Sequence, residues 1–183
     1  HDRGVRIVTT TTTTIALPAA GGGWREIDLR EPRAWAEHPQ PFQSRIAFAA
    51  AHVVADPRGE NVPGAPAAVD WEATLGFRRH LFRYGLGVAE AMDTAQRNMG
   101  LDWSATQELI TRSAALASEH GARIASGAGT DQLLAPARNL SQVTDAYLEQ
   151  VEFVEAAGSQ AIVMASRQLA AVAKAGVFQL VHV

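Results

Sequence analysis

The chain has 183 residues, 47% of them apolar and 19% charged, with a formal net charge of −3; this is a globular composition, and the lack of a basic block argues against a nucleic-acid partner. There is no cysteine, which excludes disulfides, thiolate catalysis and cysteine-ligated metals and is the usage expected of a cytoplasmic protein. No run approaches the roughly 18 apolar residues that cross a membrane, and the length falls short of the roughly 250 residues of a complete (β/α)8 barrel.

The first elements read as a small β-hairpin. Val5 to Leu17 is rich in β-branched residues, which favour extended backbone. Pro18 and Gly21-Gly22-Gly23 supply a turn, and Trp24 to Leu29 is a second short strand. The run Thr9 to Thr14 interrupts any apolar core of a signal peptide. The chain opens on His1 and not on Met, so a native start upstream is expected. Arg30 to Phe42 carries three prolines and reads as a connecting loop. Residues 1–42 are therefore expected to form a hairpin and linker, and residues 43–183 a separate α/β region.

From Gln43 strands and helices alternate. Arg45 to Val54 is an almost continuous apolar run, as expected of a strand buried on both faces. After the Pro/Gly-rich loop Asp56 to Pro66, Asp70 caps a helix over Trp71 to Tyr84, with Thr74, Phe77, Leu81 and Tyr84 on one stripe and Gly85 at its end. Leu86 to Ala91 is the next strand. Ser104 and Gln107 suggest a capping box for a helix that runs to His120 and stops at Gly121. Arg123 to Ala128 is a third strand. Ser141 is expected to cap a helix striped by Val143, Tyr147, Val151 and Val154 and ended by Gly158. Gln160 to Ala165 is a fourth strand, Arg167 to Ala175 a short helix, and Val177 to Val183 an apolar run that is either a fifth strand or a displaced tail. Alternation at about 35 residues per unit implies parallel strands joined by right-handed crossovers. No dinucleotide fingerprint or Walker motif is present: Gln132 stands where Gly127 and Gly129 would need a third glycine.

In such folds ligands bind at the carboxyl ends of the strands. The densest set of candidates is AEAMDTAQRNMG, after the second parallel strand. Glu90 is a charge inside an apolar strand, which must be paired or functional. Glu90 and Asp93 are the candidate catalytic carboxylates, able to divide acid and base roles or to share a divalent cation. Arg97 is a candidate bidentate clamp for a carboxylate or phosphate, with Thr94 and Asn98 beside it. The structural alternative is a Glu90–Arg97 ion pair across strands. Thr130 and Asp131, after the third strand, offer a hydroxyl and backbone N–H groups to an anion, or else form a tight turn with Asp131 as cap. Ser166 and Arg167, after the fourth strand, are candidates for a carboxylate, or else Arg167 is an exposed arginine at a helix start. His52 ends the first strand, as a substrate contact or as a core histidine. The six histidines show no ligand spacing, so no metal ligand is assigned. Only one of the 16 Lys+Arg is a lysine, Lys174.

The segments GVAEAMDTAQRNMGLDWSATQELI, RIASGAGTDQL and AIVMASRQLA resemble an uncharacterised bacterial family classed as dihydrodipicolinate-synthase-like, within the class I aldolase-type TIM-barrel superfamily. The resemblance runs from about Trp24 to Leu169. It implies the N-terminal half of a (β/α)8 barrel preceded by a β-hairpin, and a lyase acting on a small 2-oxo acid without a cofactor. The superfamily forms a Schiff base on a strand-six lysine, helped by a strand-five tyrosine and a Gly-Thr-Thr-type turn after strand two. Here that turn is Glu90-Ala91-Met92-Asp93-Thr94, and only Thr94 echoes it. Strand six is absent from these 183 residues, Lys174 lies on a helix, and so do Tyr84 and Tyr147. The fragment is therefore expected to be inactive alone. Two other readings stand beside it. One is a metal-dependent, sugar-isomerase-like barrel that uses Glu90 and Asp93 with a divalent cation. The other is a non-enzymatic half-barrel that self-associates. The partners expected are a small-molecule substrate and further copies of the chain as a homo-oligomer, with no membrane.

Overall fold

The computed structural model describes residues 13–38, 40–62 and 68–175. The apolar run Val177–Val183, the start of the Val5–Leu17 strand and part of the Asp56–Pro66 loop lie outside the described residues. The chain divides into two units, His1–Ala36 and Glu37–Val183.

In the first unit, β1 (Thr14–Pro18) pairs antiparallel with β2 (Trp24–Asp28). Gly22 and Gly23 turn the chain at φ +83° and +84°, values that disfavour a side chain. The Thr14 hydroxyl donates to the Asp28 carboxylate at 2.7 Å and pins the open end of the ladder. Trp24 and Trp35 remain 74% and 67% exposed.

The second unit is a parallel sheet in the order β3-β4-β5-β6, with helices between the strands. Its elements are β3 (Phe48–Ala50), α1 (Trp71–Arg83), β4 (Gly87–Glu90), α2 (Trp103–Glu119), β5 (Ile124–Ala128), α3 (Leu140–Ala156), β6 (Gln160–Val163) and α4 (Arg167–Ala175). The α/β alternation expected from the sequence is present. Among the described residues the sheet is open, with β3 and β6 each paired on one side.

Alternation along the strands separates two faces. Val88 and Ile124 share a row and pack with Phe82, Leu116 and Ala117 under the helices. The neighbouring row, Ala50–Ala89–Ala125–Gln160, belongs to the opposite face and is made of small residues up to its edge. The first strand is much shorter than its apolar run suggests. Only Phe48–Ala50 form strand, and Ile46 is 57% exposed. An edge strand needs only one buried face, and beyond Ala51 the backbone leaves the ladder. Val54 N–H then donates to the Thr74 hydroxyl at 2.9 Å, and Ala55 bridges antiparallel to Val69.

Helix boundaries follow local capping chemistry. Asp70 caps α1 as expected, accepting from Ala73 N–H at 2.9 Å. The other two caps lie two residues ahead of the expected ones. Asp102, not Ser104, caps α2, and Asn139, not Ser141, caps α3. In both cases the apolar residue that follows, Trp103 or Leu140, opens the helix. Gly85, Gly121 and Gly158 end the three helices at positive φ.

The buried stripe of α1 is Thr74, Arg78 and Phe82, rotated from the expected Thr74, Phe77, Leu81 and Tyr84. Arg78 is thereby driven into the core, where it is fully buried beside the fully buried Glu90. Its Nε donates to Glu90 Oε2 at 2.8 Å and its Nη2 to Oε1 at 2.7 Å. Nη1 donates to the carbonyls of His52 and of Thr74, and Ala91 N–H adds a bond to Oε1 at 2.9 Å. One guanidinium thus ties α1, β4 and the segment after β3. Breaking such a pair strands a buried charge at a cost of about 3–5 kcal/mol, whereas replacing both partners with apolar residues is often neutral. Arg78→Met should therefore lose stability of about that size in urea denaturation, and Arg78→Met with Glu90→Met should recover most of it. A loss below about 1 kcal/mol in the single variant would deny the pair this role.

Candidate functional site

The carboxyl ends of β4, β5 and β6 open into a cleft of ≈ 510 Å³. Its walls come from three connections: Asp93, Arg97, Asn98 and Met99 after β4; Gly129, Thr130 and Asp131 after β5; and Met164 to Gln168 around the start of α4. A larger hollow, ≈ 750 Å³, lies between residues 132–138 and α3, away from the strand ends.

The β4 connection is unusually tight. A 3-10 turn spans Asp93–Ala95, and three non-glycine residues, Ala91, Gln96 and Asn98, have φ of 52°, 59° and 62°. Left-handed backbone costs a residue with a Cβ about 1–2 kcal/mol, so something must hold the loop. Arg97 does so. It is 2% exposed, and every one of its five N–H groups has an acceptor. Nε donates to Asp131 Oδ2 at 3.0 Å and Nη2 to Oδ1 at 2.6 Å. Nη1 donates to the carbonyls of Gly127 at 2.6 Å and Ala91 at 3.2 Å, and Nη2 also reaches Gln150 Oε1. The guanidinium also lies 5.4 Å from the Trp103 ring centre, within cation–π range.

Gln150, fully buried on α3, completes the network. Its Oε1 also accepts from Gly129 N–H at 2.6 Å. Its Nε2 donates to Asp131 Oδ1 at 3.0 Å and to Gln132 Oε1 at 2.6 Å. Burial alone would raise the Asp131 carboxyl; the hydrogen bonds and charge of Arg97, with Gln150, overturn this and hold it below its ordinary value.

The third group is a hydroxyl pair. Thr130 Oγ1 and Ser166 Oγ are 2.6 Å apart, and Ser166 Oγ also accepts from Leu169 N–H at 3.1 Å, capping α4. Two hydroxyls hold two hydrogens and their mutual bond uses one. The second is left to donate, from whichever oxygen accepts the first. Arg167, the first residue of α4, is exposed and makes no ion pair among the described residues.

The cleft thus gathers seven of the ten residues named from sequence: Asp93, Arg97, Asn98, Thr130, Asp131, Ser166 and Arg167. Several roles need correction. Glu90 does not line the cleft and pairs with Arg78, not with Arg97. Asp93 is an exposed residue of the 3-10 turn and has no bond to Glu90, so the two carboxylates do not form a couple. Arg97 is no anion clamp, because its donors are spent inside the protein. In the turn expected to offer N–H groups to an anion, the N–H of Gly129, next to Thr130, is taken by Gln150. Thr94 is half-buried, with a long 3.5 Å bond to the Ala51 carbonyl, and lies outside the cleft. His52 is exposed, so it is neither a core histidine nor a cleft residue. Among the described residues no group of three or more His, Cys, Asp or Glu is placed to hold a metal ion.

Sequence reasoning missed Gln150, Gln168 and Arg78. Gln150 had a readable signal, since it falls on the Val143–Val154 stripe of α3 where an apolar residue belongs. Gln168 ties the β5–α3 loop to α4, accepting from Ala137 N–H at 2.8 Å and donating to the Ala135 carbonyl at 3.3 Å.

Residues 15–177 match the family described as "Protein of unknown function (DUF993)", and the chain belongs to that family. No curated protein matches it.

Two outcomes test this geometry. A Cβ on Gly127 would meet the Ala91 carbonyl oxygen at 2.7 Å, the same oxygen that receives Arg97. Gly127→Ala should therefore cost about 1–3 kcal/mol in denaturation, and a neutral result would refute the tight fit. The depressed Asp131 carboxyl makes a stability contribution that is present above the unfolded pKa, near 4, and lost as pH falls through the lower folded value. Asp131→Asn should flatten the acid side of the stability–pH curve; an unchanged acid limb would contradict the pairing.

Proposed function

We propose that this DUF993 chain forms the opening strands and helices of an aldolase-type (β/α)8 barrel, and that its strand-end cleft holds the acid group of a small 2-oxo acid in a carbon–carbon lyase of the dihydrodipicolinate-synthase-like kind. The observation that carries this reading is that Arg167 and the hydrogen-bonded Thr130–Ser166 pair line one cleft at the ends of β5 and β6. A carboxylate needs positive charge and hydrogen-bond donors. Arg167 supplies the charge and two or more N–H groups, and the hydroxyl pair supplies one uncommitted O–H. Arg97 and Asp131 neutralise one another behind them, so the net local charge facing the ligand is set by Arg167 and Asp93.

The parallel strand order and the position of the cleft agree with ligand binding at strand carboxyl ends. No nucleophile is assigned. Lys174 lies in the last turn of α4, and that helix starts at the cleft; its backbone is therefore about 10 Å along the axis from Arg167. A cytoplasmic setting and a homo-oligomer belong to the same proposal. The non-enzymatic, self-associating reading rests on the two sheet edges that are each paired on one side among the described residues. The metal-dependent reading is weaker, because the Glu90 carboxylate is engaged by Arg78 at both oxygens.

Titration of the chain with pyruvate, followed by calorimetry or amide NMR shifts, tests the proposal. Saturable binding is expected, weakened at least about tenfold by Arg167→Ala, consistent with loss of a charge-assisted pair worth roughly 1.5–3 kcal/mol. Thr130→Val should also weaken it. Absence of saturable binding, or binding indifferent to Arg167→Ala, would sink this reading.

A further inference from the structure

The charged groups of the cleft divide into two kinds. Arg97 spends all five of its N–H groups inside the protein, and Asp131 already accepts three bonds from Arg97 and Gln150. Asp93 and Arg167 also line the cleft, yet neither makes an ion pair among the described residues, and neither side chain has a hydrogen-bond partner there. They rise from separate walls, Asp93 from the turn after β4 and Arg167 from the start of α4 after β6. Asn98 follows Asp93 in the same connection, and Ser166 of the Thr130–Ser166 pair directly precedes Arg167.

Two opposite charges that line one cleft without pairing with each other match a ligand with two different ends. An acid that carries nothing but a carboxylate satisfies Arg167 and leaves Asp93 facing it, where the two anions repel. An acid whose far end donates a hydrogen bond satisfies both. Asp93 is an acceptor with four lone-pair sites when ionised. We propose, on the basis of the carboxylate reading above, that the cleft selects a bifunctional acid: its anionic group meets Arg167, and a hydroxyl or ammonium at its other end donates to Asp93. Hydroxy acids and amino acids share that chemistry, and the two sources separate by experiment.

The test is binding of three four-carbon acids to the chain, measured by calorimetry. They are 2-oxobutanoate, with no distal donor; 4-hydroxy-2-oxobutanoate, with a hydroxyl; and 4-aminobutanoate, with an ammonium. One of the donor-bearing acids should bind at least about tenfold more tightly than 2-oxobutanoate, a gap appropriate to one charge-assisted hydrogen bond. Asp93→Asn should shrink that gap and leave 2-oxobutanoate binding as before or tighter. A hydroxyl ligand should keep part of its advantage in that variant, because the amide carbonyl still accepts; an ammonium ligand should lose nearly all of it. Equal binding of all three acids, or an advantage that survives intact in Asp93→Asn, would overturn the inference while the carboxylate reading stands. If no acid binds, or Arg167→Ala weakens none of them, the carboxylate reading fails and this inference goes with it.

Discussion

The guanidinium of Arg97 is the constraint on which the functional end of the sheet depends. Five N–H groups in a fixed planar fork find five acceptors drawn from the connection after β4, from β5, from the loop after β5 and from α3. No acceptor can move without stranding a buried donor, and a stranded group costs about 1–3 kcal/mol, more when charged. That penalty is what lets Ala91, Gln96 and Asn98 keep left-handed backbone in a short loop. Lysine would not serve in its place, having three donors and no plane.

Arg78 does comparable work deeper in the same layer, where it joins α1 to β4 through Glu90. The two arginines share a logic. Each is placed by a helix or turn whose other buried positions are small or apolar, and each spends its charge on a carboxylate from another element. The parallel sheet is thus fastened at the last residue of β4, Glu90, and at the Ala91 carbonyl just beyond it. What remains at the cleft surface is Asp93, Asn98 and Arg167, whose side chains bond to nothing among the described residues, and the one spare hydrogen of the Thr130–Ser166 pair.

Much of this was legible in the sequence, and the exceptions have physical causes. Strand–helix alternation and the glycine stops at 85, 121 and 158 are local properties, and they appear where the pattern places them. The caps at Asp102 and Asn139 are easily confused with Ser104 and Ser141 because Asp, Asn and Ser all accept from a free N–H. The length of β3 was misjudged because an apolar run does not reveal whether a strand has one neighbour or two. The cleft residues could be named because parallel strands bring their carboxyl ends together. Which of them were free could not. The fate of Arg97 is decided by Asp131 and Gln150, 34 and 53 residues away, and no local pattern separates a saturated arginine from an exposed one such as Arg167. The clearest unread signal was a polar residue on an apolar stripe: Arg78 on α1 and Gln150 on α3.

The Thr130–Ser166 contact has a further consequence. Because either oxygen can be the donor in their mutual bond, the pair is a two-state dipole. Rotating both hydroxyls together exchanges donor and acceptor and moves the spare hydrogen from one oxygen to the other, 2.6 Å away, with no backbone displacement. A bound acceptor therefore chooses the orientation, and the cleft follows a ligand oxygen from the end of β5 to the start of α4 at the cost of two hydroxyl rotations. Beside the immobile Arg97 network, this gives the site one adjustable element set in a rigid frame.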